Sequence, residues 1–125
     1  MDYNSHKVGA ISELKVLLFL AENGWEVYVP ASGNTICDMI AVRGKEVLRV
    51  QVKTAYQAPR SLQINSARNK NSAMRSNGRA PISYSEEDTD IIIATHAGKF
   101  WGIPTQEVEG RQTMCLTEKY LIDKL

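Results

Sequence analysis

Four residues, Glu13, Asp38, Gln51 and Lys53, carry side chains suited to work on a phosphodiester. Two carboxylates and an amide carbonyl are hard oxygen ligands of the kind Mg²⁺ takes, and that ion binds best when a substrate phosphate completes its shell. An ammonium group beside such ligands can orient an attacking water or neutralise the charge that builds on phosphorus. This chemistry needs all four in one place, so the elements that carry them must converge.

Three of the four lie on DMIAVRGKEVLRVQVK, residues 38–53. The stretch reads as two strands, ICDMIAV and EVLRVQVKT, joined at Arg43-Gly44-Lys45-Glu46. Gly at the first position of a two-residue hairpin loop is a favoured choice, and a Gly44-Lys45 loop sets Asp38 directly opposite Gln51. A four-residue loop from Arg43 to Glu46 gives the same pairing, whereas an odd loop length faces Asp38 with Val50 or Val52 instead. Lys53 shares the face of Gln51 because side chains alternate along a strand, and opposed Cβ atoms stand roughly 4.5 to 5.5 Å apart. A hairpin built only for packing has no use for an aspartate at its start and Gln-Val-Lys at its end.

Glu13 belongs to the segment from Ser5 to Gly24, which has a capping residue at Asn4 or Ser5, helical apolar spacing and a closing glycine. At about 100° per residue, Val16, Leu20, Leu17, Ala10, Ala21, Leu14, Leu18 and Ile11 cover one broad arc, with Glu13 inside it. Glu22 and Lys15 lie opposite. A carboxylate on a buried face is costly unless something cationic meets it, which directs Glu13 towards the same cluster.

Along the rest of the chain, WEVYVP (25–30) reads as a short strand ended by proline and ASGNT (31–35) as a loop. From about 56 to 80 the sequence is polar and rich in Ser, Asn and Arg, a long loop or loosely helical insertion of the length usually kept for function or disorder. DIIIAT (90–95) and KFWGIP (99–104) form a second hairpin around His96-Ala97-Gly98, and Thr117 to Leu125 reads as a closing helix. Trp25, Phe100 and Trp101 read as core. The order predicts an α/β fold: a mixed central sheet with an antiparallel meander, flanked by helices, in one domain over residues 1–125.

A chain of 125 residues with 43% hydrophobic and 23% charged residues suffices for one globular domain with a modest core. Its formal net charge is only +1, yet the charges are unevenly placed. No Asp or Glu occurs from Val47 to Ser85, while Arg49, Lys53, Arg60, Arg68, Lys70, Arg75 and Arg79 all fall there. Such a window suits phosphate contacts, which give salt-dependent affinity without reading sequence. Cys37 and Cys115 are isolated and match no metal-ligand spacing, and no signal-peptide pattern opens the chain, so the expectation is a reduced, intracellular, cytoplasmic protein. No apolar run approaches the roughly 20 residues that span a bilayer, which argues against a membrane role.

In their order and on these elements, Glu13, Asp38, Gln51 and Lys53 resemble the PD-(D/E)XK nucleases. That core is a helix bearing Glu, a hairpin whose first strand carries Asp, and a second strand ending in (D/E)XK. Cys37 stands where the name-giving proline would be, and Gln51 replaces the acidic residue. QVKTA, YSEEDTD and FWGIP look like the branch of group I intron homing endonucleases, where Gln takes that place, and the resemblance puts Tyr84, Asp88 and Asp90 at a strand entry in a structural role. VPASGN is similar to the loop of archaeal-type Holliday junction resolvases, in which a serine contributes to the site; Ser32 is the matching residue. The resemblance implies a restriction-endonuclease-like core and a Mg²⁺-dependent DNA endonuclease, with Mn²⁺ able to substitute. Glu13, Asp38 and Gln51 would hold metal, Lys53 would assist the water, and Ser32, Arg60, Arg68, Lys70, Arg75 and Arg79 would contact duplex or branched DNA. One site per domain and two strands to cut imply a homodimer or higher homo-oligomer.

A homing-type enzyme should prefer one long duplex sequence, and a junction-resolving enzyme branched DNA of any sequence. A catalytically silent DNA-binding or assembly module would bind without cutting and be indifferent to Lys53. An unrelated α/β enzyme or interaction domain would show no salt-dependent DNA affinity.

Overall fold

The N-terminal apolar segment forms helix α1 (Ser5–Glu22) in the computed structural model, which describes residues 5–33, 35–68 and 82–125. Gly24 ends the helix with φ at 88°, a conformation that suits glycine. The amides of Trp25 and Gly24 then donate back to the carbonyls of Leu20 (3.0 Å) and Ala21 (3.1 Å), closing the helix in the Schellman manner. The buried side of α1 is not the arc expected from spacing. Ser12, Val16, Phe19 and Leu20 are buried, whereas Leu14 and Leu18 are 65% and 58% exposed, and Ala10, Ile11 and Ala21 are exposed with them. The helix is apolar almost all round, so periodicity cannot orient it; Phe19 stacking on Phe100 at 4.3 Å and Ser12 bonding Thr54 do.

Six strands form the central sheet: β1 (Glu26–Tyr28), β2 (Met39–Arg43), β3 (Glu46–Thr54), β8 (Ile91–His96), β9 (Lys99–Pro104) and β11 (Leu121–Ile122). They lie side by side in that order. The β3–β8 pair is parallel and the others antiparallel, so the sheet is mixed, with β1-β2-β3 as the expected meander. The β8–β9 hairpin turns at Ala97 (φ 51°) and Gly98 (φ 78°), both left-handed as a twisted two-residue turn demands.

Both faces of this sheet are covered, which is why Ile91-Ile92-Ile93-Ala94 is apolar without alternation. Val50, Val52 and Ile93 pack under α1 with Val16, Phe19 and Leu20. On the other face, Ile92, Ala94, Trp101 and Ile103 pack with Ile64, Tyr84, Val108 and Met114.

That second layer corrects the expected loop or helical insertion after Ala55. Its described part is extended: β4 (Tyr56–Gln57) and β5 (Leu62–Asn65) join β10 (Thr113–Cys115) in a three-stranded sheet, and β6 (Ala67–Arg68) pairs β7 (Ile82–Ser83). Ile64 alternates inward to complete burial between half-buried Gln63 and exposed Asn65, a pattern hidden among polar residues.

The expected helix from Thr117 to Leu125 is also absent. A 3₁₀ turn, Glu118–Tyr120, leads into β11, which pairs the edge of β9 with Leu121 opposite Trp101 and Ile122 opposite Phe100. The short segment gains more from covering that edge than from an isolated helix of marginal length. A single α-helix therefore flanks the sheet among the described residues.

Candidate active site

The β2–β3 hairpin follows the even-loop register, from Arg43 opposite Glu46 to Met39 opposite Val50. Pairing stops there, one residue short of the expected Asp38–Gln51 pair. The Asp38 amide donates to the Val50 carbonyl (2.9 Å), and its carboxylate Oδ2 accepts from the Val52 amide (2.8 Å). A continued ladder would give that amide the Cys37 carbonyl, so the carboxylate ends the strand by substituting for backbone. Gln51 to Thr54 of β3 run on past the end of β2, and the edge left beside them opens into a cleft.

All four expected residues line this cleft, whose volume is about 780 Å³, together with Ser12, Thr54, Tyr84 and the Ser5–His6 turn of α1. Gln51 and Lys53 alternate away from Val50 and Val52, yet the open edge gives them access to it. Glu13 reaches in from α1. A 2.6 Å bond between the hydroxyls of Ser12 and Thr54 ties helix to strand at the residues adjoining Glu13 and Lys53.

Burial raises the Glu13 carboxyl to about 7, and the neighbouring Asp38 carboxyl adds to the shift by hydrogen bonding and by its charge. Ionisation of Glu13 beside the Asp38 carboxylate is thus opposed. Burial pushes the Lys53 ammonium below its usual range, an effect the Asp38 charge partly offsets. Lys53 Nζ also lies 5.0 Å from the centre of the Tyr84 ring, within cation–π range.

Gln51 is only 7% exposed, and its Oε1 is buried with no hydrogen-bond partner among the described residues. An orphaned buried acceptor is costly in a folded protein. Among the described residues no three His, Cys, Asp or Glu side chains form a metal-binding group. The cleft instead offers two carboxyls that repel one another and an amide oxygen lacking a donor, a set that fits a hard divalent cation.

The other residues expected to touch DNA are dispersed. Ser32 is exposed in a depression that adjoins the cleft and shares Glu13 and Asp38 with it. Arg60 is exposed between β4 and β5. Arg68 lies on β6 opposite Ile82, with its side chain outside what is described; Lys70, Arg75 and Arg79 lie outside the described residues. Arg49 serves the fold: its guanidinium meets Asp90 at 3.1 Å and donates to the carbonyls of Glu86 and Glu87.

Spacing did not reveal Tyr84, Ser12 or Thr54 as part of the site. Tyr84 had the expected structural role, and its ring is buried in the core, but it also faces Lys53 from a distant segment. Ser12 carried one local signal, a hydroxyl on an apolar helix.

A mixed sheet with a helix on one face, and an acid–amide–lysine cleft where a hairpin ladder stops, is the restriction-endonuclease-like architecture of a nuclease. A family model for PD-(D/E)XK endonucleases matches residues 3–120, and the chain belongs to that family. It is 27% identical to Protein 5.3 of Escherichia phage T7 over 114 residues, which span 91% of this chain and 92% of that protein. The solved structure of a bacterial homing endonuclease, I-Ssp6803I, matches with a TM-score of 0.72 and 21% identity, covering 92% of this chain and 80% of that one. At that identity the likeness is one of fold. No described helix is long and apolar enough to cross a membrane.

Proposed function

We propose that the protein is a Mg²⁺-dependent DNA endonuclease, with Glu13, Asp38 and Gln51 as the ion's ligands and Lys53 as the residue that acts on the attacking water. The observation that carries this reading is the buried, partnerless Gln51 Oε1 in a cleft shared with Glu13, Asp38 and Lys53. When bound, the ion would polarise the phosphodiester and steady the leaving oxygen. The chain's own part is positional. Asp38 is held by the Val52 amide, and the Ser12–Thr54 bond sets the helix bearing Glu13 against the strand bearing Lys53. The Tyr84 ring, beside Lys53 Nζ, keeps that ammonium aimed into the cleft, where it donates to a phosphate oxygen or the incoming water. Ser32, Arg60, Arg68, Lys70, Arg75 and Arg79 are proposed to grip the DNA backbone, in a single domain with its basic insertion at about 56–80. Two copies, one for each strand, would complete a double-strand cut.

The test uses a labelled four-way junction and a linear duplex made from the same arms, incubated in Mg²⁺ or in EDTA. Cleavage should require Mg²⁺ and fall by roughly 10²- to 10³-fold in Lys53→Ala, with DNA affinity changed only a few-fold. Preference for the junction would assign a resolving role, and preference for a particular duplex a homing-type role. Binding without cleavage, untouched by Lys53→Ala, would leave a silent DNA-binding module in place of the enzyme.

A further inference from the structure

Gly9 is a residue whose type the protein's own fold does not call for. It sits in the second turn of an 18-residue helix, where glycine is less stable than alanine because it loses more backbone freedom on folding. Its backbone is not left-handed, and a Cβ added there meets no atom of the described residues within 4 Å beyond its own stretch of helix. Among the described residues, neither conformation nor packing therefore requires a hydrogen in place of a side chain.

What Gly9 does border is the cleft, with Ser5 and His6 one turn before it and Glu13 one turn after. Cβ atoms tilt towards a helix N-terminus, so a methyl at this position would stand over the Ser5–His6 turn and project into the cleft. The same cleft holds the buried Gln51 Oε1, which has no hydrogen-bond partner among the described residues and which the proposed function gives to an ion that in turn holds a phosphate. Glu13 lies about 6 Å further along the helix axis, so a strand that follows the helix passes Gly9 next to a phosphate held beside Glu13.

We propose that Gly9 is a contact point for the sugar–phosphate backbone: the strand being cut runs along the N-terminal half of α1 and packs directly on the Gly9 main chain, flanked by Ser5 and His6. Only a residue without a side chain lets two backbones approach so closely. The contact reads no base, and it adds an uncharged residue to the binding surface. It rests on the reading of the cleft as a nuclease site.

The experiment compares the full chain with Gly9→Ala and Gly9→Leu. Melting temperature, anisotropy of a fluorescent duplex at low salt in EDTA, and steady-state cleavage in Mg²⁺ are measured for each. Gly9→Ala should melt about 2 to 5 °C higher yet bind DNA about tenfold more weakly. Gly9→Leu should bind more weakly still, with KM rising more than kcat falls. Unchanged affinity and KM in both variants would overturn the proposal, as would a lower melting temperature for Gly9→Ala, which would give the glycine a folding role. If the unsubstituted protein neither binds nor cuts DNA, the nuclease reading itself fails.

Discussion

At the scale of single residues, Glu13 couples the site to stability. Its carboxyl titrates from 4.5 in the unfolded chain to about 7 in the fold, so the folded state binds the proton more tightly. The metal-free protein therefore has this contribution in full below about pH 4.5 and loses it as pH rises through about 7. Glu13→Gln removes the penalty of ionising a buried acid beside Asp38. Melting in EDTA should show the variant gaining on the parent between pH 5 and pH 8 and equal to it near pH 4, while its cleavage in Mg²⁺ is lost. A constant difference across that range would mean that Glu13 ionises as freely in the fold as in water. That Glu13, Asp38, Gln51 and Lys53 come to one cleft was legible because strand alternation and one turn type relate three of them. The place of Tyr84 was not, since its approach to Lys53 is made by a segment far along the chain.

Among the elements, the hairpin register was legible because Gly44 allows few turns, and the mixed sheet followed from strand order. The orientation of α1 was not: Leu14 and Leu18 look as apolar as Val16 and Leu20, and the partners that select the buried side, Phe100, Thr54 and Ile93 among them, are remote in sequence. The C-terminal strand was hidden for a related reason, since its partner is an edge and not a local pattern. Gly102 on β9 shows how tightly that edge is filled. A Cβ there would lie 3.1 Å from Ile122 Cδ1 and 3.4 Å from Ile91 Cδ1. Gly102→Val should cost about 1–3 kcal/mol by overpacking in urea denaturation. Adding Ile122→Ala should return part of that loss, because the two positions share one space. Independent, additive effects would show that β11 does not lie against Gly102 in solution.

For the whole molecule, a nearly neutral chain must concentrate its basic residues to hold a polyanion, and the stretch from Val47 to Ser85 does so. Arg49 is already engaged with Asp90, which leaves Arg60, Arg68, Lys70, Arg75 and Arg79 as the proposed grip. Replacing these five with alanine should flatten the dependence of log affinity on log salt by about 0.9 for each phosphate no longer neutralised. Cleavage at saturating DNA should persist, because none of the five is among the residues proposed to hold the ion or act on the water. A slope identical to the parent's would move the DNA path elsewhere. Double-strand cutting should also show second-order dependence on protein if two copies act together.

Asp38 satisfies the Val52 amide where the ladder ends with the same carboxylate that is proposed for the ion. This makes the site unequal under mutation and drift. A lineage released from selection for cleavage could exchange Lys53 without disturbing the hairpin, whereas changing Asp38 to an apolar residue would strand a main-chain donor. Descendants that kept the fold and abandoned the chemistry should therefore retain the aspartate as a relic of folding, with the lysine as the first position to vary.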